Sequence, residues 1–146
     1  MNQITLLQPP LIVFGNGCAP QCADLLARRR LKRALLVTST AVLPGLGEVL
    51  ASLQRQGVSI IQTPPVNNEP TCAQFEQILQ FARAEKIDSV LGIGGGSVID
   101  VAKLVAALFA KNNVVSEFFG INLLPNRDLP LICLPTTAGT GAEVSP

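Results

Sequence analysis

The chain has no histidine among its 146 residues, and its four cysteines are scattered: Cys18 and Cys22 stand four apart, Cys72 and Cys133 alone. Without histidine or a C-x-x-C pair there is no zinc-like ligand spacing, and the thiols read as free packing residues. Charge is scarce as well. Only 14% of residues are charged and the net charge is +1, so no field exists to attract nucleic acid or an anionic membrane surface. Long apolar runs are missing: the longest, Leu104 to Ala110, falls far short of the roughly 20 residues that span a bilayer. The N-terminus has no basic segment followed by an apolar one, the pattern expected of a secretory leader. These absences read as a cytoplasmic protein whose partner is neither nucleic acid nor membrane. Two common phosphate signatures are also absent. There is no G-x4-G-K-[ST], and Gly92-x-Gly94 is followed by Ser97 where a dinucleotide fingerprint places its third glycine.

What is present is one domain's worth of chain with 48% hydrophobic residues, enough to bury about two thirds of the unfolded surface. Strand-like runs recur at Leu11–Phe14, Ala34–Val37, Val58–Ile61, Ser89–Ile93 and Leu131–Leu134, with helical patterns in most of the gaps. That alternation predicts a doubly wound, mostly parallel α/β sheet with helices on both faces, Rossmann-like in kind. The first helix is expected to open at Pro20 and close at Arg28-Arg29-Arg30, whose charge suits a helix C-terminus. The second is expected within Gly45 to Gln56, with Gly57 as its C-terminal cap. The third opens on the capping box Thr71-Cys72-Ala73-Gln74 and buries Phe75, Ile78, Leu79 and Ala82 on one stripe. Before it lies the irregular polar loop Thr63 to Pro70. Its position at the end of a strand makes it either a plain connector or a ligand-binding loop.

Two turns carry the chemistry. In the first, the apolar run ending at Ile93 passes through Gly94-Gly95-Gly96 into a helix expected from Ser97 to about Ala110. With no Cβ atoms, the backbone can approach an anion closely while the N–H groups and dipole of the next helix point at it. That helix is apolar nearly all round, so Asp100 and Lys103 need either a partner or a ligand on a helix expected to be buried. The spacing Ser97-x-x-Asp100 also fits a loose capping box, and Asp100 with Lys103 an ordinary i,i+3 pair. In the second turn, the strand at Leu131–Leu134 runs into Pro135-Thr136-Thr137-Ala138-Gly139-Thr140-Gly141-Ala142-Glu143. Its hydroxyls can donate to phosphate or ribose oxygens. Equally, Thr140-x-x-Glu143 can cap a further helix.

Taken together, Gly94-Gly95-Gly96-Ser97-x-x-Asp100-x-Ala102-Lys103 and Pro135 to Glu143, in this order, resemble the N-terminal cofactor-binding part of the iron-containing (group III) alcohol dehydrogenases. Pro10-Leu11-Ile12-Val13-Phe14-Gly15-x-Gly17 and Glu69-Pro70-Thr71 are similar to that family's pattern as well. The resemblance implies that Gly95, Gly96 and Ser97, following Gly94, bind the pyrophosphate of a nicotinamide dinucleotide. It places Thr136, Thr137 and Thr140 along the other side of the cofactor, Asp100 and Lys103 near it, and Ser39 and Glu69 in the same cofactor-binding set. The implied activity is metal-assisted hydride transfer between NAD or NADP and a small alcohol or aldehyde, with iron (Fe2+) or another divalent metal polarising the oxygen. A homo-oligomer is compatible with it.

The chain departs from that family pattern in two ways. Members that prefer NAD commonly hold the ribose hydroxyls with an Asp where this chain has Ser39, between Thr38 and Thr40. Ser39 would not repel a 2′-phosphate, so NAD and NADP both stay open. The family's metal ligands, an Asp and several His of a helical domain, would lie beyond Pro146, and the chain stops at a helix-start pattern. Residues 1–146 are therefore expected to form a dinucleotide-binding domain lacking the metal-binding helical domain, with no catalytic or metal-ligating residue and no alcohol activity alone. A glycerol dehydrogenase-like polyol oxidoreductase, or a stand-alone nucleotide-binding module without catalysis, are the competing readings.

Overall fold

The computed structural model describes residues 8–120, 123–124 and 126–145. Four strands, β1 (Arg33–Thr38), β2 (Ser59–Gln62), β3 (Ser89–Gly94) and β4 (Leu131–Pro135), form one parallel sheet in the order β2-β1-β3-β4. β3 is buried along its whole length and β1 everywhere but Arg33, which is why both read as unbroken apolar runs rather than alternating ones. Helices α1 (Gln21–Arg28), α2 (Gly47–Arg55), α3 (Cys72–Ala84) and α4 (Gly96–Leu108) supply the cover.

Alternate side chains of the central strands feed two cores. Leu35, Val37 and Val90 pack with α3 and α4, while Ala34, Leu36, Leu91 and Ile93 pack with α1 and α2. Helices thus lie on both faces, and the doubly wound expectation holds. From β1 the chain winds outward to β2, then crosses back so that β3 flanks β1 on its other side. The order reverses between β1 and β3, and ligands of such sheets bind in the crevice beyond the carboxyl ends of the strands at that point.

Local signals behave as their chemistry dictates. Thr71 and Gln74 make the capping box in both directions, and Phe75, Ile78, Leu79 and Ala82 are the buried stripe of α3. Gly57 takes φ +69, the left-handed conformation that ends α2, and Val58 N donates to Leu53 O at 3.0 Å. Pro20 is the residue before α1 rather than within it, and Arg29 is its C-cap. A single tight helical turn, Leu43–Leu46, precedes α2 and shortens it at the front.

One expected strand is not formed. Leu11–Phe14 makes no ladder, and its residues are 56, 61, 43 and 101% exposed. No described strand lies beside it, and β-branched residues adopt a strand only where a neighbour completes the hydrogen bonds.

The C-terminus of α4 is fastened by groups distant in sequence. The Arg83 guanidinium donates to Leu108 O (2.8 Å), Phe109 O (2.9 Å) and Lys111 O. The Asp128 carboxylate accepts from Ala110 N and Lys111 Nζ, both at 2.9 Å. At its middle α4 presses on β3, where a Cβ built on Gly92 would lie 2.7 Å from Ala102 Cβ. Neither atom is the end of a flexible chain, so Gly92→Ala is expected to push the helix off the sheet. It should lower the unfolding free energy by about 1–3 kcal/mol, measured by denaturant titration; unchanged stability would contradict this packing.

Candidate functional site

β3 ends at Gly94 and α4 begins at Gly96, so the reversal takes one residue, the extended N-cap Gly95 (φ −78°, ψ −174°). No side chain caps α4. The Ser97-x-x-Asp100 capping box is therefore not formed, and the first-turn amides face outward with the positive end of the helix dipole, about half a unit charge. Asp100 is exposed rather than buried, which corrects the expectation that it sits on a buried face. The apolar circumference of α4 leaves one strip open, and Asp100 occupies it.

The second turn meets the first directly. Pro135 is the register partner of Gly94, and Thr136 N donates to Gly94 O at 2.9 Å. A Cβ on Gly95 would lie 3.4 Å from the Thr137 side chain, and one on Gly96 3.0 Å from Thr140 Cγ2. The glycines are thus the floor on which Thr137 and Thr140 rest. No helix follows within the described residues. Residues 142–144 form a turn, in which Thr140 Oγ1 accepts weakly from Ala142 N (3.4 Å), and Ser145 N reaches Gly141 O. Thr136, Thr137 and Thr140 are all exposed.

Lys103, two turns into α4, reaches along the groove and donates its ammonium to Ser145 O (2.5 Å) and Ser145 Oγ (2.6 Å). Burial pulls its ammonium below the ordinary lysine range, while Cys133 and Asp100 nearby partly oppose that shift. Burial likewise pushes the Cys133 thiol up, which makes it a packing residue of β4 rather than a nucleophile.

On the β1 side the site is completed by residues that follow Thr38, whose hydroxyl donates to Ile93 O at 2.7 Å across the strand ends. Ser39 is half-buried, its carbonyl accepting from Val42 N and Leu43 N. The loop after β2 closes over this edge through Val66 N to Thr38 O (2.9 Å) and Thr40 N to Asn67 Oδ1 (2.9 Å). Glu69 lies exposed farther along that loop with no hydrogen bond or ion pair. Asn67 was invisible to sequence reasoning; a polar loop at a strand end was the only signal.

The arrangement is an open groove, not a cavity. A cavity of about 480 Å³ exists elsewhere, at the edge of β2 against Leu50 and Gln54, and none of its lining residues belongs to either turn. Among the described residues no three His, Cys, Asp or Glu side chains gather to hold a metal. The groove offers uncapped amides and hydroxyls, a donor set for an anion rather than a cation.

Residues 9–146 match the family model described as iron-containing alcohol dehydrogenase. The chain is 35% identical to long-chain-alcohol dehydrogenase 1 of Geobacillus thermodenitrificans, over 99% of this chain and 38% of that protein. It is 44% identical to the mitochondrial hydroxyacid-oxoacid transhydrogenase of Caenorhabditis elegans, over 90% of this chain and 30% of that one. Among solved structures, sulfoacetaldehyde reductase from Bifidobacterium kashiwanohense in complex with NAD+ superposes with a TM-score of 0.82 at 26% identity, covering 99% of this chain and 39% of that one. The chain spans between 30 and 39% of these proteins' length.

Lys103 gives a pH signature. With its ammonium depressed, the folded chain holds this proton less tightly than the unfolded one, so stability rises with pH from the lowered value up to roughly 10.4. Unfolding free energies followed through the alkaline range up to about pH 10.5 should show that rise, and Lys103→Met should lack it. Parallel pH profiles for the two proteins would contradict the desolvated lysine.

Proposed function

Because the chain belongs to the iron-containing alcohol dehydrogenase family, we propose that residues 1–146 are the nicotinamide-dinucleotide-binding domain of a metal-dependent alcohol dehydrogenase or aldehyde reductase. The observation that carries this is the N-terminus of α4. It has no side-chain cap, and a glycine turn lies beneath it against Thr137 and Thr140. A pyrophosphate seated there would accept from the amides of Gly96 and Ser97, lying over Gly94 and Gly95, with the helix dipole adding to the attraction. Thr136, Thr137 and Thr140 would donate to the cofactor from the β4 side, and Ser39 and the Glu69 loop would flank it beyond β1. Lys103, with Asp100 one turn before it, lines the groove on the β4 side and adds positive charge to the field around the dinucleotide.

The nicotinamide, when bound, supplies the hydride. The role of this chain is to hold and orient that carrier. In the proposed reaction a divalent metal would polarise the alcohol oxygen; among the described residues no three His, Cys, Asp or Glu side chains gather to hold one. The sulfoacetaldehyde reductase structure, a complex with NAD+, supports a dinucleotide as the ligand. Ser39 in place of an acid leaves room for either NAD or NADP. A small alcohol or aldehyde is the proposed substrate; among the relatives are a sulfoacetaldehyde reductase and a methanol dehydrogenase, and a long-chain-alcohol dehydrogenase as well.

Titrating NADH and NADPH while following nicotinamide fluorescence should give saturable binding. Gly96→Val, which drives a branched side chain into Thr140 and over the amides, should weaken binding by roughly tenfold or more. Absence of saturation with either dinucleotide would refute the proposal. Ser39→Asp should shift the preference toward NADH by repelling a 2′-phosphate, and an unchanged ratio would show that Ser39 does not set it.

A further inference from the structure

The loop after β2 is tied across the end of β1 by three main-chain donors. Thr63 N donates to Leu36 O (3.1 Å), Val66 N to Thr38 O (2.9 Å) and Thr40 N to Asn67 Oδ1 (2.9 Å). The third bond orients the Asn67 side chain. A backbone N–H can only donate, so the atom facing Thr40 is the amide oxygen, and the amide nitrogen is directed away from that bond. Asn67 is exposed, and among the described residues its nitrogen has no acceptor. Beside it, the Ser39 carbonyl is engaged by Val42 and Leu43, while the Ser39 hydroxyl has no described partner.

These two donors sit at the switch point. β1 and β3 are neighbours with Thr38 opposite Ile93, so the end of β1 stands one strand spacing, roughly 4.8 Å, from the glycine turn. A ribose attached to a phosphate on that turn reaches this far. The nearest groups there, Thr38, Ser39, Thr40, Asn67 and Asn68, include no acid; Glu69 follows in the same loop.

We propose that Asn67 is a specificity-determining residue of this site, its side-chain amide donating to the substituent on the 2′ carbon of the dinucleotide's adenosine ribose. The proposal rests on the dinucleotide-binding reading above. An amide and a hydroxyl can each donate to a 2′-hydroxyl or a 2′-phosphate, so the pair accommodates both cofactors where a carboxylate would reject one.

The test is the dissociation constants of NADH and NADPH for the whole protein, unaltered and as Asn67→Asp and Asn67→Ala. Aspartate keeps an oxygen for Thr40 N, so the loop stays anchored, but it replaces the outward donor with a negative charge. NADPH affinity should fall roughly tenfold in Asn67→Asp while NADH changes by less than about twofold. Asn67→Ala, which loses anchor and donor together, should weaken both dinucleotides. If Asn67→Asp weakens the two equally, or neither, the assignment is overturned and Asn67 only holds the loop. If the unaltered protein binds neither dinucleotide, the underlying reading fails, and this one with it.

Discussion

The seating of α4 on β3 is the constraint from which the candidate site follows. Gly92 lets Ala102 approach closer than any side chain would allow, and Arg83 and Asp128 clamp the far end of the helix. Held at its middle and its far end, α4 starts one residue after the strand stops, and its N-terminus is left without a side-chain cap. Uncapped helix starts are ordinarily satisfied by a Ser, Thr, Asp or Asn at a benefit of about 1 kcal/mol. Here that place belongs to Gly95, and the unmet donors are what an anion would use.

The sheet order gives this feature its reach. Because β1 and β4 flank β3 on opposite sides, one turn is bordered by Ser39 and Asn67 on one hand and by Thr136 to Thr140 on the other. A ligand with two halves joined by a phosphate bridge matches that symmetry better than a simple phosphate. In the proposed function this chain would hold the hydride carrier.

Most of the fold was legible because its signals are local. The capping box of Thr71 and Gln74, the left-handed Gly57 and the stripe of α3 depend on residues within two turns of one another, and each appears where the sequence places it. The two turns of the site were legible as glycine and hydroxyl patterns, and alternation of strands and helices already suggested that they adjoin. What was not legible depends on contacts across the chain. Leu11–Phe14 has strand composition but no strand to pair with. Asp100 was misplaced because periodicity on a nearly all-apolar helix cannot say which narrow strip stays open. Thr140 and Glu143 have capping spacing, yet the described residues hold only a turn there. Asn67 reaches Thr40 over 27 residues of sequence, and no pattern announces such a bond.

The central claim is that the first-turn amides of α4 hold the phosphate bridge of a dinucleotide. It is tested most directly by following the backbone amide resonances of isotopically labelled protein as NADH is added. The account requires the largest shifts at Gly95, Gly96, Ser97 and Val98, with a second set at Thr136 to Thr140. Shifts confined to other parts of the sheet, or saturable binding that leaves the Gly95 to Val98 amides unmoved, would contradict it.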